Sequence, residues 1–203
     1  MKKLALVLSL AAIGFVSAEA MAQESPWLVR GRVVNISPAN GSDPVGGVGA
    51  ADRITVGKKT IPEVDISYFF SPNFSAELIL TYPQKHDVYL DGKNIGSFKH
   101  LPPTLSAQYH FAPSADINPY LGFGVNYTNI SKVNLLGGKG SLENSSFGLS
   151  IQAGLDFKID KNWSVNVDVK KVQIRSDVSI SGAKVSAVKV DPLLVGVGIG
   201  YRF

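Results

Sequence analysis

The feature that most constrains this chain is a two-residue alternation of apolar and polar side chains, sustained in several segments for about ten residues. Pro62, Val64, Ile66, Tyr68 and Phe70 share one parity, while Glu63, Asp65 and Ser67 occupy the other. Phe147, Leu149, Ile151, Ala153, Leu155 and Phe157 oppose Gly148, Ser150, Gln152, Gly154 and Asp156. The last segment sets Leu193, Val195, Val197, Ile199, Tyr201 and Phe203 against Gly196, Gly198, Gly200 and Arg202. Similar patterns begin near residues 27, 74, 104, 121 and 163, which predicts eight strands, each with one greasy face and one polar face. Strands of soluble proteins average about five or six residues, whereas a tilted strand needs about ten to cross a bilayer. The connections alternate as well. Short turns are expected at 71–73, 112–116 and 158–162, and long loops at 38–59, 84–100, 129–145 and 177–188. An even strand number with short turns at one end and long loops at the other predicts an all-β fold: an eight-stranded antiparallel transmembrane β-barrel with periplasmic turns and extracellular loops.

A soluble eight-stranded barrel also alternates, but with its apolar face turned inward. Two observations favour the membrane form. Aromatic residues such as Tyr68, Phe70, Phe74, Tyr82, Tyr109, Phe111, Tyr127, Trp163 and Phe203 sit near strand ends, where amphipathic rings meet lipid headgroups. The opposite face carries Gly, Ser, Asn and charges of both signs, too small and too polar for a soluble core.

Residues 1–22 read differently. Lys2 and Lys3 precede an apolar run from Leu4 to Val16, and Ala20-Met21-Ala22 offers a small-x-small cleavage site, the pattern of a secretory signal peptide. The barrel is then expected to occupy 23–203. The chain has no cysteine, which excludes a disulfide-stapled module and a thiolate metal site. Its net charge of +4 is small and scattered, and losing Lys2, Lys3 and Glu19 lowers it by one, so no nucleic-acid partner is expected.

Specific blocks carry a family likeness. His100-Leu101-Pro102-Pro103-Thr104-Leu105, continued by Ala107-Gln108, resembles the strand-four signature of the OmpW family of small outer-membrane β-barrel proteins, the OmpW/AlkL group. Asn118-Pro119-Tyr120-Leu121-Gly122 is similar to its strand five, Gln152 to Phe157 with Asn162-Trp163 to strands six and seven, and Gly200-Tyr201-Arg202-Phe203 to its last strand. The resemblance implies passive admission of small hydrophobic molecules through the outer membrane. It also implies a polar lumen interrupted by apolar residues on strands three and seven. Ile79 fits that pattern; Lys170 stands where an apolar or aromatic residue is expected, so the constriction formed by these two departs from it.

Further candidates follow from the residues. Arg30 and Arg32 share a parity on strand one, as do Glu63 and Asp65 on strand two, so pairing of the two strands brings the charges together inside the barrel, with Glu77 joining from strand three. Such a lumen polar network either simply fills the interior or acts as a plug against free ion flow. Pro83, Pro102 and Pro103 cannot donate to a sheet ladder, so they mark either strand ends or a lateral exit. His86, Asp87, Asp91, Ser97 and His100 are the candidates for catalysis, but they lie in no known nucleophile or metalloprotease motif, and no enzyme activity is expected. Beside them, Lys85, Lys93 and Lys99 suit lipopolysaccharide phosphates. Asp177 and Asp191 lack metal-ligand spacing; neither metal nor cofactor is expected. Tyr201 and Phe203 end the chain in the manner of a recognition signal for the barrel assembly machinery. The rival to transport is a surface barrel serving adhesion, stress resistance, or phage or toxin binding.

Overall fold

The computed structural model describes residues 25–203, and the expected signal peptide lies outside them. Eight strands form the barrel: β1 (Trp27–Ser37), β2 (Lys59–Phe69), β3 (Phe74–Leu80), β4 (Thr104–His110), β5 (Ile117–Leu135), β6 (Ser145–Lys158), β7 (Trp163–Val172) and β8 (Leu193–Arg202). Each pairs antiparallel with its neighbours in sequence, and β1 pairs with both β2 and β8, so the sheet closes. Closure leaves no open edge in the hydrocarbon, which is what allows a sheet to cross a membrane.

The alternation maps directly onto the wall. Val64, Tyr68, Phe74, Leu105, Phe123, Ile151, Val197 and Ile199 face outward, whereas Arg30, Glu63, Asp65, Glu77, Gln108, Asn126 and Asn166 are buried inside. At the periplasmic end the girdle is built of edge-to-face ring contacts, including Trp27 on Tyr68 at 4.9 Å, Phe74 on Tyr109 at 4.9 Å and Trp163 on Tyr201 at 4.9 Å. The amphipathic rings of such a girdle lie at headgroup depth.

The structure departs from expectation in the long connections, which are largely β rather than irregular. Segment 84–100 is a hairpin of Gln84–Leu90 against Lys93–Leu101, turning at Asp91 and Gly92, whose φ values are +50° and +77°. Arg175–Ile180 pairs with Ala183–Lys189 through Ser181 and Gly182, at φ +50° and +85°. Both turns need positive φ at two successive positions, and Asp-Gly and Ser-Gly supply it at low cost. β5 runs 19 residues, far past the membrane span, and pairs with Lys93–Leu101. The wall therefore continues upward as a β-collar around the extracellular mouth.

Candidate functional site

Two storeys fill the lumen. The lower one is ionic. In the β1–β2 register Arg30 faces Asp65 and Arg32 faces Glu63. Arg30 grips Asp156 on β6 through Nε at 3.2 Å and Nη2 at 2.7 Å, and reaches Asp65 with Nη1 at 3.3 Å. Arg32 donates to Glu77 at 3.0 Å, Glu63 at 3.3 Å and Asn166 at 2.8 Å. Gln108 and Gln152 donate to the second oxygen of Glu77 at 2.8 and 2.7 Å. The side chains of Arg30, Arg32, Asp65 and Glu77 are fully enclosed. A charge buried alone would be costly, and reciprocal pairing is what makes this cluster tolerable.

Tyr120 crosses this layer. Its hydroxyl donates to Asp168 at 2.8 Å and accepts from Asn166 at 3.1 Å, and its ring lies 5.4 Å from the Arg30 guanidinium. The ring is seated on Gly154, where a Cβ would collide with the phenol. Tyr120, Asp156, Asn166 and Asp168 are network members that sequence parity did not single out. They come from strands distant in sequence from β1, and only barrel closure brings them to its arginines. Phe69 and Leu28 add apolar surface below, on a lumen face read as polar.

The upper storey is apolar. Ile54, Val56, Val88, Phe98, Ile130, Leu135, Ile174, Val178, Val188 and Val190 line an apolar chamber within the collar. Its apolar residues alternate along segments read from the sequence as loops, which concealed it. Between chamber and ionic layer lies a middle pocket lined by Ile36, Ile61, Ile79, Leu194, Thr104 and Asn126, with Glu63 and Lys170 also on its wall. Ile79 and Lys170, the expected constriction, both line this pocket; they are 3% and 2% exposed.

The three prolines line a break in the wall. The β3–β4 ladder ends at Ile79 opposite Thr104, and pairing resumes only at Gln84 opposite His100. Residues 80–83 face 101–103 across this interval without a ladder. Side chains hold the margins instead: Thr81 Oγ1 donates to the Pro62 carbonyl at 3.3 Å, and Asn126 Nδ2 donates to the Pro102 and Pro103 carbonyls at 3.2 and 3.1 Å. The middle pocket reaches Thr81 and Pro102 at this break.

The catalytic candidates do not assemble. Asp91 forms an exposed ion pair with Arg53 at the tip of the collar hairpin. His86 Nδ1 lies 3.1 Å from the Gly57 carbonyl, and the His86 and His100 rings meet edge to face at 4.7 Å inside the collar. Burial pushes both imidazoles below their ordinary range, His100 to about 3, with Lys59 opposing protonation of each. Both are therefore neutral at pH 7. Among the described residues neither imidazole is hydrogen-bonded to Ser97. Elsewhere, Ser75 Oγ stands 3.1 Å from His110 Nε2, and Asn118 Nδ2 stands 3.0 Å from His110 Nδ1. With Asn118 donating to Nδ1, the ring proton sits on Nε2 and points at Ser75, the wrong tautomer for removing a proton from it. Asp177 pairs with Lys184, and Asp191 with Arg175; among the described residues no group of three or more His, Cys, Asp or Glu is arranged to hold a metal ion. Tyr201 and Phe203 meet edge to face on the outer periplasmic rim, with ring centroids 5.0 Å apart.

A closed barrel, greasy outside, plugged by buried charge and opening through an apolar mouth, defines a small integral protein of the outer membrane, seated in lipid. Comparison then gives its family. The chain belongs to the OmpW family, whose model matches residues 23–203. It is 38% identical over 186 residues to the uncharacterized outer-membrane protein y4mB of Sinorhizobium fredii, covering 88% of this chain and 80% of that one. It is 26% identical over 196 residues to the dibenzothiophene metabolism operon protein PahQ of Pseudomonas aeruginosa, covering 90% of each. The crystal structure of the outer membrane protein OprG from Pseudomonas aeruginosa superposes with a TM-score of 0.78 at 26% identity, covering 89% of this chain and 97% of that one.

Proposed function

We propose that this barrel passively admits small hydrophobic molecules from the outside and releases them sideways into the outer membrane. The observation that carries the reading is the stacking of an apolar chamber on a sealed ionic layer, with the broken ladder beside the pocket that joins them. A solute that desolvates in the chamber gains its transfer free energy there, about 25 cal/mol per Å² of apolar surface. It meets buried ion pairs below, where an apolar body cannot replace the lost Coulombic contacts. The wall break near Pro83, Pro102 and Pro103 offers a path at the level of acyl chains. The relationship to PahQ, named for dibenzothiophene metabolism, supports an apolar aromatic cargo. Lys85, Lys93 and Lys99 suit contact with lipopolysaccharide, Tyr201 and Phe203 suit recognition by the assembly machinery, and residues 1–22 suit export.

Uptake of an apolar fluorescent probe into cells with and without the protein tests this reading. Faster, saturable entry that depends on the barrel is expected. Identical entry in both strains removes transport and leaves a surface barrel serving adhesion, stress resistance or phage attachment.

A further inference from the structure

Lys170 is a cation without a hydrogen bond at the base of an otherwise mostly apolar path. Its side chain is 98% buried, yet Nζ lies 3.6 Å from Glu63 Oε1 and 3.8 Å from Asp168 Oδ1, beyond hydrogen-bond range for either. The two carboxylates are held downward by the plug: Glu63 accepts from Arg32 at 3.3 Å, and Asp168 accepts from Tyr120 at 2.8 Å. The neighbouring polar groups are occupied as well. Thr104 Oγ1 donates to the Pro102 carbonyl and accepts from Asn126, and Asn126 Oδ1 accepts from Thr128. His100, on the same pocket wall, has both ring nitrogens unpartnered. Lys170 Nζ is thus held by two long ion pairs alone, and His100 adds a ring N–H with no partner, so the pocket has donors open to a bound acceptor.

We infer that Lys170 receives the polar end of the transported molecule, so that the preferred cargo is an apolar body carrying one uncharged oxygen acceptor, such as a ketone, ester or alcohol. This inference rests on the uptake reading above. The apolar body occupies the chamber, and the oxygen meets Nζ at the pocket floor. An uncharged head is favoured over a carboxylate because the layer beneath already holds five carboxylates, Glu63, Asp65, Glu77, Asp156 and Asp168, against Arg30, Arg32 and Lys170. An anion lowered onto that excess is repelled.

The barrel in lipid nanodiscs, titrated with hexane, 2-hexanone or hexanoate and followed by amide NMR, tests the assignment. In the native protein 2-hexanone is expected to perturb Lys170 and Thr104, while hexane perturbs only chamber residues such as Val88 and Ile174. Lys170→Met should weaken 2-hexanone about tenfold, the scale of one hydrogen bond to a charged group, and leave hexane unchanged. Lys170→Arg should retain the preference. The double variant Lys170→Met/Glu63→Gln keeps the local charge balanced and should behave as Lys170→Met does, which separates lost recognition from a misfolded barrel. Equal weakening of hexane and 2-hexanone, or no weakening of either, overturns the role of Lys170. Tighter binding of hexanoate than of 2-hexanone overturns the uncharged head. Absence of chamber shifts with every probe instead removes the uptake reading itself.

Discussion

Arg32 is the residue on which the ionic layer turns, because it alone touches Glu63, Asp65 and Glu77 together. Replacing it with methionine keeps much of the volume but takes a cation from three carboxylates in a closed interior, leaving Asp65 and Glu77 to Arg30 and Glu63 to the longer contact with Lys170. Removing one partner of a buried pair typically costs about 3–5 kcal/mol, far more than the pair's net contribution against an apolar substitute. Arg32→Met should therefore lower the unfolding free energy in micelles by that amount, measured by urea titration. A loss below about 1 kcal/mol, the range of exposed pairs, would mean that water reaches this layer. At this scale the sequence was informative only locally. The parity of Arg30, Arg32, Glu63 and Asp65 placed opposite charges on adjacent strands, and the register brings them together. Tyr120 and Asp156 were not legible, since each meets β1 across the bore rather than along a ladder.

Among the elements, the barrel strands were read from periodicity, and the collar was not. His86 and Val88 alternate with Lys85 and Asp87 as cleanly as any barrel strand, and the Asp91-Gly92 turn was available as a hairpin signal. Length and high polarity suggested loops instead. That misreading concealed the chamber, because half of its wall comes from collar strands. The break at the β3–β4 seam is the element-scale feature on which the proposed lateral route depends. Pro102→Val/Pro103→Val restores two backbone donors there, and each ladder bond gained contributes about 0.5–1.5 kcal/mol. If solute leaves through this seam, uptake of an apolar probe should fall about tenfold while the barrel's thermal stability is unchanged or raised. Unchanged uptake in a folded variant would exclude the seam as the route and leave the prolines as strand terminators.

For the whole molecule, the proposed uptake route predicts that ions and apolar solutes do not share a path. An eight-stranded barrel has an interior just wide enough for side chains, and here the lower half is filled by paired charge. Replacing Arg32→Ala together with Glu77→Ala deletes one cation and one anion, so the net charge of the layer is unchanged while its centre is emptied. Water should enter the vacated volume and open an axial thread, so conductance across a planar bilayer should rise severalfold over the native barrel. If the proposed route leaves the axis above this layer, uptake of an apolar probe should stay the same. The comparison separates two designs that share one outline. If probe uptake rises together with conductance, the solute descends through the lumen and the ionic layer is its gate. If conductance alone rises, the layer serves to seal the membrane while the chamber and the wall break carry the cargo.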